Sequence, residues 1–126
     1  MAEVRILVVD DEDLVRGVLI LMLEDAGYAT LGASDASKAL SILEAGSVAA
    51  VVSDIDMPGD IDGLELAWEV STRWPQTGIL LMSGRALPRP NDLPAGTSFI
   101  AKPCNEVHFL ELVAEAVLAL PHGRAN

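Results

Sequence analysis

A chain of 126 residues, 51% hydrophobic and 21% charged, is long enough to bury one core and too short for two. Its formal net charge of −11, with a sequence pI near 4.3, leaves no basic footprint for nucleic acid and disfavours an anionic membrane surface. A single cysteine, Cys104, cannot form an internal disulfide and suits a reducing compartment. The apolar stretch 18–23 is far too short to span a bilayer, and the N-terminus leads straight into a strand with no room for a signal peptide. The expectation is a cytoplasmic, soluble domain over 1–126, with its core in 4–120 and a flexible tail at 121–126.

In chain order, residues 5–9 read as a buried strand and 13–26 as a helix closed by Gly27, a residue suited to the left-handed position after a helix. On that helix a core stripe is expected at Val15, Val18, Leu19, Met22 and Ala26, with Leu14, Ile20 and Leu21 apolar off the stripe. Residues 28–32 form a short strand, and Asp35 caps a second helix to about Ala45. A strongly apolar strand over 48–53 is followed by a polar, glycine-rich loop at 58–63 and a third helix over 64–74, stopped before Pro75. Strands at 79–82 and 98–101 and a last helix over 106–120 complete the chain.

Between the last two strands a crossover helix is expected, yet Pro88, Pro90 and Pro94 interrupt it. Each proline inside a helix costs about 3 kcal/mol relative to alanine, so at most one short turn near 91–93 survives. Strand and helix alternate throughout. An α/β architecture follows, a parallel sheet with helices on both faces and right-handed crossovers.

Four apolar runs end in polar residues: 5–9 in Asp10 and Asp11, 48–53 in Asp54, 79–82 in Ser83 and 98–101 in Lys102. In a parallel sheet these ends share one edge, where open α/β sheets bind ligands. Carboxylates suit a hard cation, and a hydroxyl with an ammonium suits an anion, so the set describes a phosphoryl site with its metal.

Asp10-Asp11, Asp54-Ile55-Asp56-Met57-Pro58-Gly59, Asp62-Gly63, Ser83-Gly84 and Lys102-Pro103 together resemble the receiver domain of two-component response regulators, over about residues 4–120. The resemblance implies a doubly wound, flavodoxin-like sheet of five strands in the order 2-1-3-4-5, with the fourth helix short or absent here. It implies that Asp54 accepts a phosphoryl group from a phosphohistidine donor. Asp11, Asp54 and the backbone carbonyl of Asp56 would ligate Mg²⁺, with Asp10 acting chiefly through coordinated water. Lys102 and Ser83 would contact phosphoryl oxygens. Phe99, three residues before the lysine, stands where many receivers carry a switching aromatic. Arg85 and Asp56 flank the phosphoryl position in the family; they either pair across the site mouth or stand as two solvated loop charges.

The implied partners are a histidine kinase or histidine phosphotransfer protein, together with a downstream protein; neither nucleic acid nor membrane is expected. Such a chain is a signalling phosphoacceptor rather than an enzyme. It would act without an output domain of its own, by switching partner binding or by relaying or draining phosphate.

Two other readings remain open from the residues. Ser53-Asp54-Ile55-Asp56 after an apolar strand also resembles the Asp-x-Asp motif of haloacid-dehalogenase-type phosphatases, although that motif normally belongs to the first strand of a longer chain. A phosphorylation-independent scaffold of receiver shape is the third.

Overall fold

In this computed structural model, residues 4–84 and 92–118 are described. Five strands and four helices run in the order β1 (Arg5–Val9), α1 (Asp13–Asp25), β2 (Ala29–Ala33), α2 (Ala36–Ala45), β3 (Ala50–Asp54), α3 (Gly63–Arg73), β4 (Gly78–Ser83), β5 (Ser98–Ala101) and α4 (Glu106–Val117). All strand pairs are parallel, and the order across the sheet is β2-β1-β3-β4-β5, as expected.

The strands owe their position to alternation. Leu7, Val9, Val51, Ile79 and Leu81 point to one face, where they meet Ala36, Ala39 and Leu43 of α2 and Leu66, Ala67 and Val70 of α3. Ile6, Val8, Ala50, Val52, Leu80, Met82 and Ile100 point to the other, against Leu19 and Leu23 of α1 and Phe109, Val113 and Ala116 of α4. Burying a leucine or isoleucine of this kind contributes about 1.5–3 kcal/mol, so neither face tolerates a one-residue slip of register.

Helix starts follow local chemistry. The Asp35 carboxylate accepts from Lys38 N, Asn105 accepts from Val107 N and His108 N, and Asp62 forms a reciprocal capping box with Glu65. Gly78 has no room for a side chain, because a Cβ there would fall on the Ala116 carbonyl of α4.

Three sequence expectations shift. The second strand begins one residue later, at Ala29, and the third runs Ala50–Asp54 rather than 48–53, so Asp54 lies within its strand. On α1 the buried residues are Leu19 and Leu23. Val18 and Ala26, expected in the core, are exposed, while Ile20 is half-buried because its side chain lies over Gly32 of β2. Among the described residues no α-helix lies between β4 and β5; Arg85 and Asn91 lie outside the described residues, and of the turn expected near 91–93, Asp92 has 3₁₀ conformation. The Trp68 indole N–H of α3 donates to the Asp92 carbonyl at 2.8 Å, tying the connector's far end to that helix.

Candidate functional site

Parallel pairing puts the ends of β1, β3, β4 and β5 on one edge. Val9 lies beside Ser53, Asp54 beside Met82 and Ser83 beside Ala101. Backbone bonds carry the ladder just past these ends: Asp10 N to Ala33 O (3.1 Å), Ile55 N to Met82 O (2.9 Å) and Lys102 N to Ser83 O (2.8 Å). Side chains at positions 10, 54, 83 and 102 are therefore fixed by sheet register rather than by mobile loops.

Asp10, Asp54 and Ser83 are buried, Asp11 is exposed and Lys102 is half-buried. Lys102 Nζ donates to Asp54 Oδ2 at 3.2 Å and to Asp10 Oδ2 at 3.5 Å. Burial pushes the Asp54 carboxyl above the usual value of 3.8, outweighing the pull of Lys102. Burial also pulls the Lys102 ammonium down, but Asp54 and Asp10 together outweigh it and hold that pKa above 10.5. Lys102 is therefore a fixed cation at neutral pH.

One carboxylate oxygen each from Asp10, Asp11 and Asp54 lie within 4.8 Å of one another. Three hard oxygen donors with no sulfur or imidazole fit Mg²⁺, which takes oxygen ligands from few protein groups and keeps several waters. The donor set therefore suits the ion that the sequence reading implies.

One residue escaped the sequence reading. Arg16 donates to the Asp10 carbonyl at 2.7 Å and to Asp13 Oδ1 at 2.6 Å, bracing the acidic loop from the first turns of α1. Its signal was present: an arginine three residues after an aspartate at the start of a helix that leaves the acid pair. Asp10 Oδ1 in turn accepts from Glu12 N at 2.9 Å, so backbone and arginine together set that loop. Gly63, quoted in the sequence as part of the Asp62-Gly63 pair, has a role that only the fold shows: its N–H donates to Ile55 O at 2.9 Å. A Cβ on Gly63 would fall on the Asp54 carbonyl oxygen, so its lack of a side chain brings α3 against the end of β3.

With its candidate partner Arg85 outside the described residues, the Asp56 side chain is seen to reach Ser83. Its Oδ2 accepts from Ser83 Oγ at 3.0 Å, and its backbone N–H donates to Asp54 Oδ1 at 3.2 Å. Phe99 is half-buried and packs against the cluster on the α2–α3 face. Cys104, two residues past Lys102, is a half-buried free thiol whose pKa burial pushes above 9.0, so it is protonated and unreactive at neutral pH.

Beside Lys102 the surface opens into a groove of about 610 Å³. Leu14, Val15, Val18 and Leu19 of α1 form one wall, and Met82, Pro103 and Cys104 contribute to the rest. Leu14 is 85% exposed and Val18 52%, an unusual concentration of wet apolar surface next to a charged site. Among the described residues no helix is long and apolar enough to cross a membrane.

Comparison with known proteins agrees with this geometry. An "uncharacterized 14.6 kDa protein in sodA1 3'region" of Leptolyngbya boryana is 33% identical, covering 96% of this chain and 95% of its own length. A "putative response regulator NtrX-like" of Rickettsia conorii is 32% identical over all of this chain, which spans 27% of that longer protein. Among solved structures, the response regulator TrrA of Thermotoga maritima, in complex with Mg²⁺-BeF, matches with a TM-score of 0.80 and 31% identity, covering 90% of this chain and 98% of that one. Residues 6–114 match the model of the response regulator receiver domain. That span takes in β1 from its second residue, the other four strands whole, all but the end of α4 and all the acidic, hydroxyl and lysine positions of the sheet edge; the chain belongs to the response regulator receiver domain family, a fold of two-component signalling.

Proposed function

We propose that this receiver takes a phosphoryl group from a phosphohistidine donor onto Asp54, and that the modified edge alters which protein it binds. The observation that supports this most directly is the Lys102 ammonium 3.2 Å from the Asp54 carboxylate, with Asp10 and Asp11 alongside. The arrangement offers a nucleophile, a fixed cation and a cluster of metal donors within one crevice.

In the proposed step an Asp54 carboxylate oxygen attacks phosphorus while the bond from phosphorus to the donor's imidazole nitrogen breaks. The imidazole leaves with that electron pair and takes up a proton, and the product is an acyl phosphate. Bound by Asp10, Asp11, Asp54 and the Asp56 carbonyl, Mg²⁺ would supply positive charge that offsets repulsion between the carboxylate and the phosphoryl oxygens. Lys102 holds charge against the same oxygens, and Ser83 is placed to donate to one of them. The side chains thus work by position and charge rather than by moving protons, which makes the chain a phosphoacceptor rather than a turnover enzyme.

The groove walled by α1 is the proposed landing surface for the donor's helices, since it is apolar, exposed and contiguous with Lys102. Family membership favours this reading over the Asp-x-Asp phosphatase, and the intact acid pocket with its lysine favours it over an inert scaffold.

Incubation with Mg²⁺ and acetyl phosphate or phosphoramidate tests the proposal. The expected result is a gain of one phosphoryl mass per chain, absent in Asp54→Ala. No gain, or continuous hydrolysis of a small phosphomonoester without a retained phosphate, would overturn it.

A further inference from the structure

A serine hydroxyl has one proton to donate, and here Ser83 gives it to a carboxylate of its own chain, Asp56 Oδ2, at 3.0 Å. Ser83 is 2% exposed, so bulk water has little access to it. Asp56 is exposed on the loop after β3, and its N–H also holds Asp54 Oδ1. One residue thus touches both the expected nucleophile and the hydroxyl placed to meet the transferred group. A carboxylate and a phosphoryl group present the same thing to a hydroxyl, an anionic oxygen that accepts a short, charge-assisted hydrogen bond.

We propose that Asp56 is an internal competitor for the Ser83 hydroxyl, holding it in the unphosphorylated state and yielding it when a phosphoryl oxygen arrives on Asp54. The proposal rests on the phosphoacceptor reading and adds a regulator to it. Forming the Ser83–phosphoryl bond means breaking the Ser83–Asp56 bond, so the modified state gains only the difference between them. Asp56 thereby biases the population toward the unmodified conformation. It is a positioning residue that acts through Ser83. Negative charge on Asp56 would also repel an incoming anion, but that effect needs no serine, and the two routes separate on this point.

A double-mutant cycle read with beryllofluoride as the phosphoryl probe distinguishes them. Binding is measured calorimetrically for the unaltered chain, Asp56→Ala, Ser83→Ala and the double variant, each at Mg²⁺ saturating by its own titration. Asp56→Ala is expected to tighten beryllofluoride binding about fivefold more when Ser83 is present than when it is alanine, a coupling of about 1 kcal/mol. Ser83→Thr, which keeps the hydroxyl, is expected to restore the Asp56→Ala effect, and it guards against a Ser83→Ala chain that folds poorly. Equal tightening in the serine and alanine backgrounds, or weaker binding by Asp56→Ala with Ser83 present, would overturn the competitor role and leave the phosphoacceptor reading standing. If the unaltered chain and every variant fail to bind beryllofluoride with Mg²⁺, the phosphoacceptor reading falls and the competitor role falls with it.

Discussion

Asp54 is held in a contradictory environment: buried, beside a second buried carboxylate, and stabilised by one lysine that both share. Burial is the largest influence and raises its pKa above 3.8 in the folded chain. The folded state therefore binds this proton more tightly than the unfolded chain does. Below about pH 3.8 both states are protonated and the favourable contribution is complete, and it is lost as pH rises through the folded value. In EDTA, Asp54→Asn is expected to raise Tm at pH 7, on the order of 4 °C, with the gain shrinking toward zero as the pH is lowered through the carboxylate range. Melting curves across that range check it; a gain that persisted or grew in acid would contradict the assignment. Asp10, Asp11, Asp54, Ser83 and Lys102 were legible in the sequence because each ends an apolar run, and sheet register does the rest. Arg16 and the Asp56 side chain were not, because their partners depend on how loops fold back over a few ångströms, a distance that no spacing encodes.

At the level of elements, the first helix carries the clearest division of labour. Leu19 and Leu23 face the sheet while Leu14, Val18 and Leu21 stand in solvent. Apolar residues on nearly every side of α1 made its stripe ambiguous in the sequence. Gly32, lacking a side chain, resolves it by admitting Ile20 over β2 and leaving Val18 to the groove. If the groove receives the donor's helices, Leu14→Glu with Val18→Glu is expected to slow phosphoryl transfer from a protein donor tenfold or more, on the order of 1.4 kcal/mol, while transfer from acetyl phosphate is unchanged. Equal slowing with both donors, followed by time-resolved mass spectrometry, would place the defect in the site instead. The β4–β5 connector shows the opposite balance of legibility. Its three prolines argued in the sequence against a full helix there, but the Trp68 bond to Asp92 appeared only in three dimensions.

Taken whole, the molecule is an exercise in parallel topology. Each neighbouring strand runs the same way, so four chain segments far apart in sequence end within one crevice; an antiparallel partner would send its polar residue to the opposite edge. The alternation of strand and helix was enough to infer this, since two-faced burial and crossover helices leave few other arrangements. The central claim is that Asp54, among the three clustered carboxylates, is the one that carries the phosphoryl group. Borohydride reduction of the chain after treatment with phosphoramidate and Mg²⁺, followed by peptide mapping, tests it directly, because an aspartyl phosphate is reduced to homoserine. The account predicts conversion at Asp54, abolished by EDTA. Conversion at Asp10 or Asp11, or none at all in a folded chain, would contradict it.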